Sequence, residues 1–231
     1  MTFYLNDYMY YLFVIVPILL LIVIVNARVN MIYAKYSGQR NSRGMTGSEA
    51  ARRILDMEGL RSVRIEKIQG HLTDHFDPRA NVLRLSAKNY DEDSIAAVGV
   101  AAHEAGHAIQ HARKYVPVKI RAAMVPAIKM SNWIYLPIIF VGFFANLPIM
   151  FHIAIGFFLL TTIFQFVTLP VEFNASLRAI SIIKSGGILN SQEIVGAKKV
   201  LWAASMTYVV ALLLSLAQLL RLFLNSRNSD D

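Results

Sequence analysis

A small α+β domain joined to an α-helical membrane bundle of about four transmembrane helices is what composition and patterning predict for this chain. The chain is 55% hydrophobic with only 16% charged residues, and its mean hydropathy is +0.45. That is too apolar for an ordinary soluble domain. Uncharged stretches recur at about the length of a bilayer crossing. Between the first two lies a segment that holds most of the chain's 23 Lys and Arg and mixes helix and strand patterns.

Tyr8 to Ala27 is free of charge and ends in the run Leu20-Leu21-Ile22-Val23-Ile24-Val25. It has no positive leading region and no small-residue cleavage pattern, so residues 1–29 read as a retained transmembrane anchor. Residues 30–130 form the α+β domain. Thr46-Gly47-Ser48-Glu49 has the form of a capping box and opens a short helix that Gly59 closes. Val63-Arg64-Ile65-Glu66 alternates like a strand. After the turn-rich Asp74-His75-Phe76-Asp77-Pro78, Asn81-Val82-Leu83-Arg84-Leu85-Ser86 reads as another. Asp91, Glu92, Asp93 and Ser94 supply cap candidates and negative charge for a helix from Ile95 to Gln110. Arg113 and Lys114 suit its last turn, and Pro117 is its expected stop. The stretch Lys114 to Lys129 reads equally as a membrane-surface segment or a plain connector.

Met130 to Val171 contains no Lys, Arg, Asp or Glu, with a break near Asn146-Leu147-Pro148. It is expected to cross twice, giving a transmembrane hairpin over 131–171. A cytoplasmic helical segment follows over 172–199. Val200 to Leu220 is the fourth span, within a C-terminal transmembrane helix and tail over 200–231. Trp133, Tyr135 and Trp202 fall near span ends, where aromatic belts form.

Orientation follows from Lys and Arg. Residues 1–27 contain none, while Arg178, Lys184, Lys198 and Lys199 lie between the third and fourth spans. The positive-inside rule puts residues 30–130 and 172–199 in the cytoplasm and both termini outside. The net charge of +8 then reflects topology and anionic lipid. No aromatic-interleaved basic patch accompanies it, so nucleic acid is not an expected partner. The chain has no cysteine, which excludes disulfides and thiolate metal ligation.

The chemistry concentrates at His103-Glu104-Ala105-Gly106-His107. On a helix, residues i and i+4 lie one above the other, so both imidazoles reach a single metal ion. Glu104 leaves at another angle, where it can take a proton from a metal-bound water and pass it to a leaving amine. An Ala-rich packing helix is the plain alternative, but a buried Glu without a partner is costly. Gly106 between the histidines would let another backbone come close.

A catalytic zinc site needs a third protein ligand. His111 lies about 12 Å along the axis from His103, too far to share an ion. His71, His75 and His152 have no recommending spacing. Glu172 is the better candidate: besides Glu104 it is the one acidic residue between Asp93 and Glu193. It follows Pro170, where a helix is expected to start or kink. The competing reading is an interfacial carboxylate paired with Arg178. In zinc peptidases an edge strand beside the metal helix can hold an extended peptide. Val82 to Ser86, with Leu83 and Leu85, is the candidate for that role or else an ordinary core strand.

Leu72-Thr73-Asp74-His75-Phe76-Asp77-Pro78, Ala101-Ala102-His103-Glu104-Ala105-Gly106-His107-Ala108-Ile109-Gln110 and Leu169-Pro170-Val171-Glu172-Phe173 together resemble the YugP-type bacterial membrane zinc metallopeptidases. The likeness runs over nearly the whole chain and includes the order of spans. It implies a neutral zinc metallopeptidase with a zincin-like cytoplasmic domain in the bacterial plasma membrane. One Zn2+ per chain would be held by His103 and His107, with Glu104 as catalytic base. Membrane gluzincins of the HtpX kind take a third ligand from a Glu-x-x-x-Asp helix. Glu172 matches that ligand, but Ser176 stands at the aspartate position and Asn174 is uncharged. Which side chain orients His107 is therefore open. Arg178, His75 and Tyr90 are candidates for stabilising the oxyanion.

The expected partners are protein or peptide substrates at the membrane and the lipid bilayer itself, and an oligomer is compatible with the sequence. Two other classes stay in view. Site-2-type intramembrane proteases share the pentapeptide but take an aspartate ligand from a Leu-Asp-Gly motif, which is absent here. A non-catalytic membrane scaffold is the other.

Overall fold

The structure is a computed structural model that describes residues 8–145 and 147–227. Asn146, the side chain of Tyr135 and the chain ends lie outside the described residues. In order, the elements are α1 (Val16–Ser37), α2 (Gly47–Met57), β1 (Arg64–Ile68), β2 (His75–Asp77), β3 (Val82–Ser86), α3 (Ala87–Asp91), α4 (Ile95–Ala112), α5 (Val116–Phe144), α6 (Pro148–Ser185) and α7 (Ser191–Arg227). A π-helical stretch, Tyr11–Ile15, leads into α1. The chain divides into two compact units, one from the described parts of 1–25, 119–169 and 207–231, the other from 26–118 and 170–206.

The described residues of the first unit are helical apart from Ala145 and Leu147. Three helical stretches among the described residues are long and apolar enough to cross a membrane: Tyr8–Ser37, Ile155–Ser185 and Ser191–Arg221. The first arm of the expected hairpin falls in the second half of α5, whose first half carries Lys119, Arg121 and Lys129. Local ties include the Tyr10 hydroxyl donating to the Ala217 carbonyl at 2.7 Å. Arg221 lies 4.3 Å from the Tyr11 ring centroid. A cation over an aromatic face is attracted by its quadrupole.

The second unit holds the α+β part. The Thr46 capping box is formed: Glu49 N–H donates to Thr46 Oγ1 at 3.2 Å and Thr46 N–H to Glu49 Oε2 at 2.8 Å. Gly59, at φ +73°, turns the chain out of α2, a conformation only glycine adopts freely. The strands make one sheet of order β1-β3-β2, with β1 parallel and β2 antiparallel to β3. Arg84 grips Asp77 across β3 and β2 at 2.7 Å, and that guanidinium holds the Asp77 carboxyl down to about 2.

This order corrects the edge-strand expectation for Val82–Ser86. β3 is the central strand, paired with β1 along its length and with β2 over Val82–Arg84, and Leu83 and Leu85 are fully buried in the core. β2 occupies the second edge over Val82–Arg84, so a peptide cannot add to β3 along that stretch. The edge next to it is β2, whose turn-like sequence hid a short strand.

Two prolines named above both fall inside helices. α4 ends at Ala112 through a left-handed Lys114, φ +52°. Pro117 then sits in the first turn of α5, where a missing N–H costs nothing. Pro170, where a helix start or a kink is expected, lies inside α6, so no helix starts there. Asp74, quoted above in a motif, is a clamp: it accepts from Ser86 N–H at 2.8 Å and Asn89 Nδ2 at 2.8 Å. Asn89 in turn accepts from the buried Tyr33 hydroxyl at 2.7 Å.

Candidate metal centre

α4 begins where expected, with Ser94 Oγ accepting from Ala97 N–H at 3.1 Å. Its small residues, Ala101, Ala102, Ala105 and Ala108, are buried, so neighbouring helices can pack close. Closest is α6 at Gly106: a Cβ there would lie 2.7 Å from the Ala175 carbonyl oxygen. This contact brings Glu172, one turn before Ser176, over the two histidines.

His103 and His107 stack edge to face, ring centroids 4.7 Å apart. Their Nε2 atoms are 3.2 Å apart, and Glu172 Oε2 lies 3.3 Å from one and 3.5 Å from the other. Ligands 2.0–2.1 Å from a tetrahedral zinc sit about 3.3 Å from each other. The triangle therefore fits one face of a zinc coordination shell. Among the described residues this is the group of His, Asp and Glu side chains that converges on one point. The histidine side chains are 16% exposed and that of Glu172 3%, so the triangle keeps an open side for a fourth ligand.

Burial opposes a proton on His107. The hydrogen bond to the Glu172 carboxylate and the charges of Glu104 and Glu172, helped by Gln110, outweigh it and raise His107 above its ordinary value. Electron-rich atoms crowded this closely hold a cation, whether a proton or a metal.

Supporting contacts surround the triangle. Ser176 Oγ lies 3.1 Å from His103 Nδ1 and 3.4 Å from Ser205 Oγ. Gln110 Oε1 lies 3.0 Å from His107 Nδ1. The Gln110 amide nitrogen donates to the Val171 carbonyl at 2.8 Å and to Asn174 Oδ1 at 3.0 Å. Arg178 Nε also donates to Asn174 Oδ1, at 2.7 Å.

The profile of the family described as "Putative neutral zinc metallopeptidase" matches residues 11–227. The chain belongs to this family. One relative, "Putative membrane protease YugP" of Bacillus subtilis (strain 168), is 44% identical over 203 residues, covering 86% of this chain and 89% of the relative. No solved structure matches the chain. The family's description implies zinc, and the donor set of His103, His107 and Glu172 suits it.

Within this metallopeptidase family member the other expected site residues divide. Asn174 and Ser176 join the centre as supports. Arg178 is drawn to Asn174, on a different face of α6 from Glu172. Tyr90 lines a separate cavity with Ser48, Glu49, Arg52 and Ile65. His75 is exposed on β2, its Nδ1 2.8 Å from the Thr73 carbonyl. Leu83 and Leu85 are core residues. Of the remaining histidines, His111 packs edge-on to Phe76 and His71 to Tyr33. Gln110 and Ser205 were not anticipated. Gln110 shares a helix face with His107, three residues on, which is a usable signal.

Proposed function

We propose that this protein is a membrane-embedded, zinc-dependent endopeptidase of the gluzincin kind, hydrolysing peptide bonds near the cytoplasmic membrane face. The observation that carries this reading is the His103–His107–Glu172 triangle, of zinc dimensions, with Glu104 beside it on the same helix. A zinc ion bound there would act as a Lewis acid on the scissile carbonyl and make the attacking water more acidic. Glu104 takes the proton of that water as general base and delivers it to the departing nitrogen as general acid. Burial of Glu104, 8% exposed, keeps that proton from exchanging freely with solvent. The third ligand is a glutamate on α6, and the chain lacks a Leu-Asp-Gly motif, which favours this reading over a site-2-type enzyme.

Elemental analysis of the detergent-purified chain tests it. Wild type is expected to carry about one zinc per chain, and Glu172→Ala to lose it. Zinc unaffected by Glu172→Ala would remove the third ligand, and no uptake at all would leave a non-catalytic scaffold. Because Glu172 lies in the helical stretch Ile155–Ser185, substrates are expected to be membrane proteins or juxtamembrane segments. Equal rates on a soluble unfolded protein and the same sequence tethered to a bilayer would count against that preference.

A further inference from the structure

His103 and His107 can offer Nε2 to a metal only if each ring carries its proton on Nδ1. At His107 the Gln110 amide enforces this. Its nitrogen is committed to the Val171 carbonyl at 2.8 Å, and a carbonyl only accepts. The amide oxygen must then face His107, 3.0 Å away, where it accepts from Nδ1–H. At His103 the partner is the Ser176 hydroxyl, 3.1 Å away, and a hydroxyl by itself dictates nothing because it can donate or accept.

The next group decides. Ser205 Oγ lies 2.9 Å from the Leu201 carbonyl, so its single proton points there. Toward Ser176, 3.4 Å away, Ser205 can only accept. That contact draws the Ser176 proton to Ser205 and leaves Ser176 an acceptor for His103 Nδ1–H. Ser176 and Ser205 are 7% and 2% exposed, so little water competes for either hydroxyl.

We propose that Ser205 is a positioning residue of the metal centre: through Ser176 it sets the tautomer of His103, in a neutral two-hydroxyl relay anchored on the Leu201 carbonyl. The inference rests on the zinc reading above. It assigns a task to α7, a helix that supplies no member of the ligand triangle. Carboxylates often support zinc-bound histidines and make them more basic. Here the support is uncharged, so it adds no negative charge to that of Glu172 and Glu104 and leaves a bound divalent ion more of its pull than a carboxylate support would. That favours an electron-rich carbonyl at the open side of the triangle.

Zinc dissociation constants of the full chain in detergent, read by chelator competition, test the relay. Ser176→Ala and Ser205→Ala are expected to weaken zinc binding by roughly 10–100-fold. Ser205→Thr keeps a hydroxyl and is expected to stay near wild type, as is Ser176→Asp, which accepts from the same Nδ1–H. The cobalt-substituted absorption spectrum should shift in Ser205→Ala and not in Ser205→Thr. Ser205→Ala binding as wild type overturns the relay, and so does equal weakening in Ser205→Ala and Ser205→Thr, which would mark a packing effect. Wild type that binds no zinc, or binds it regardless of His103→Ala, overturns the zinc reading itself and the relay with it.

Discussion

Glu104 and Glu172 are both buried carboxylates beside the same two imidazoles, 8% and 2% exposed, yet they are placed for different tasks. Glu172 closes the triangle with one oxygen. Glu104 leaves α4 from between the histidines and adds charge without being one of the converging donors. Glu104→Gln keeps the volume and removes the base. Zinc content is expected to be unchanged while hydrolysis of a protein substrate falls by about 10²–10⁴-fold. Loss of zinc from Glu104→Gln would instead put Glu104 among the ligands. These residues were legible because side chains that converge on one point leave a local mark: the i, i+4 histidines, and an acid isolated in a long run without others. Ser176 was legible as a departure from a pattern, though the structure sets it on His103 while Gln110 orients His107. Ser205 left no mark, since a serine in an apolar helix bonds its own i−4 carbonyl in many proteins. Only the pairing of α6 with α7 gives it a role.

The helices that carry these side chains meet at one tight point, and that point sets the ligand distances. A Cβ at Gly106 would come within 2.7 Å of the Ala175 carbonyl oxygen and 3.3 Å of its carbon. Backbone atoms in a packed helix cannot step aside cheaply. Gly106→Ala is therefore expected to push α6 off α4 and weaken zinc at least tenfold in the same chelator assay, because Glu172 moves with its helix. Gly99 is the control. Its added Cβ would meet the Ala197 side chain at 3.4 Å, a mild contact, so Gly99→Ala should leave zinc affinity unchanged and gain up to about 1 kcal/mol of helix stability. An equal loss in both variants would mean that α4 tolerates no added methyl anywhere. Local chemistry made the capping box at Thr46, the strand Val82–Ser86 and the start of α4 readable. Strand order was not readable, because β3's central place depends on β2, whose Asp77-Pro78 ending looks like a turn. At Pro170, where a helix start or a kink is expected, α6 continues through the proline, so no helix starts there: local breaking propensity loses to the longer helix.

The metal triangle also constrains how the whole chain threads the bilayer. His107 and Glu172 meet at one point, so the chain between them must cross an even number of times or not at all. Within that interval the part of α6 from Pro148 to Glu172 carries no Lys, Arg or Asp and is of about bilayer length. If that part crosses, a second crossing is expected with it, and α5, with no Lys, Arg, Asp or Glu from Met130 to its end at Phe144, is the segment we propose for it. Together with the stretches at Tyr8–Ser37 and Ser191–Arg221, that would give the four spans we propose, with the metal centre expected in the cytoplasm from the Lys and Arg distribution. The chain has no cysteine of its own, so single-cysteine labelling carries no background. Arg79→Cys and Lys198→Cys, both exposed, are expected to resist a membrane-impermeant maleimide in intact cells and to react once the membrane is opened. Ala145→Cys, exposed between α5 and α6, is expected to react from outside. If Ala145→Cys and Arg79→Cys were labelled from the same side, α5 would not cross. The centre could then form only if α6 also turned back without crossing, leaving two spans and a peripheral rather than embedded hairpin.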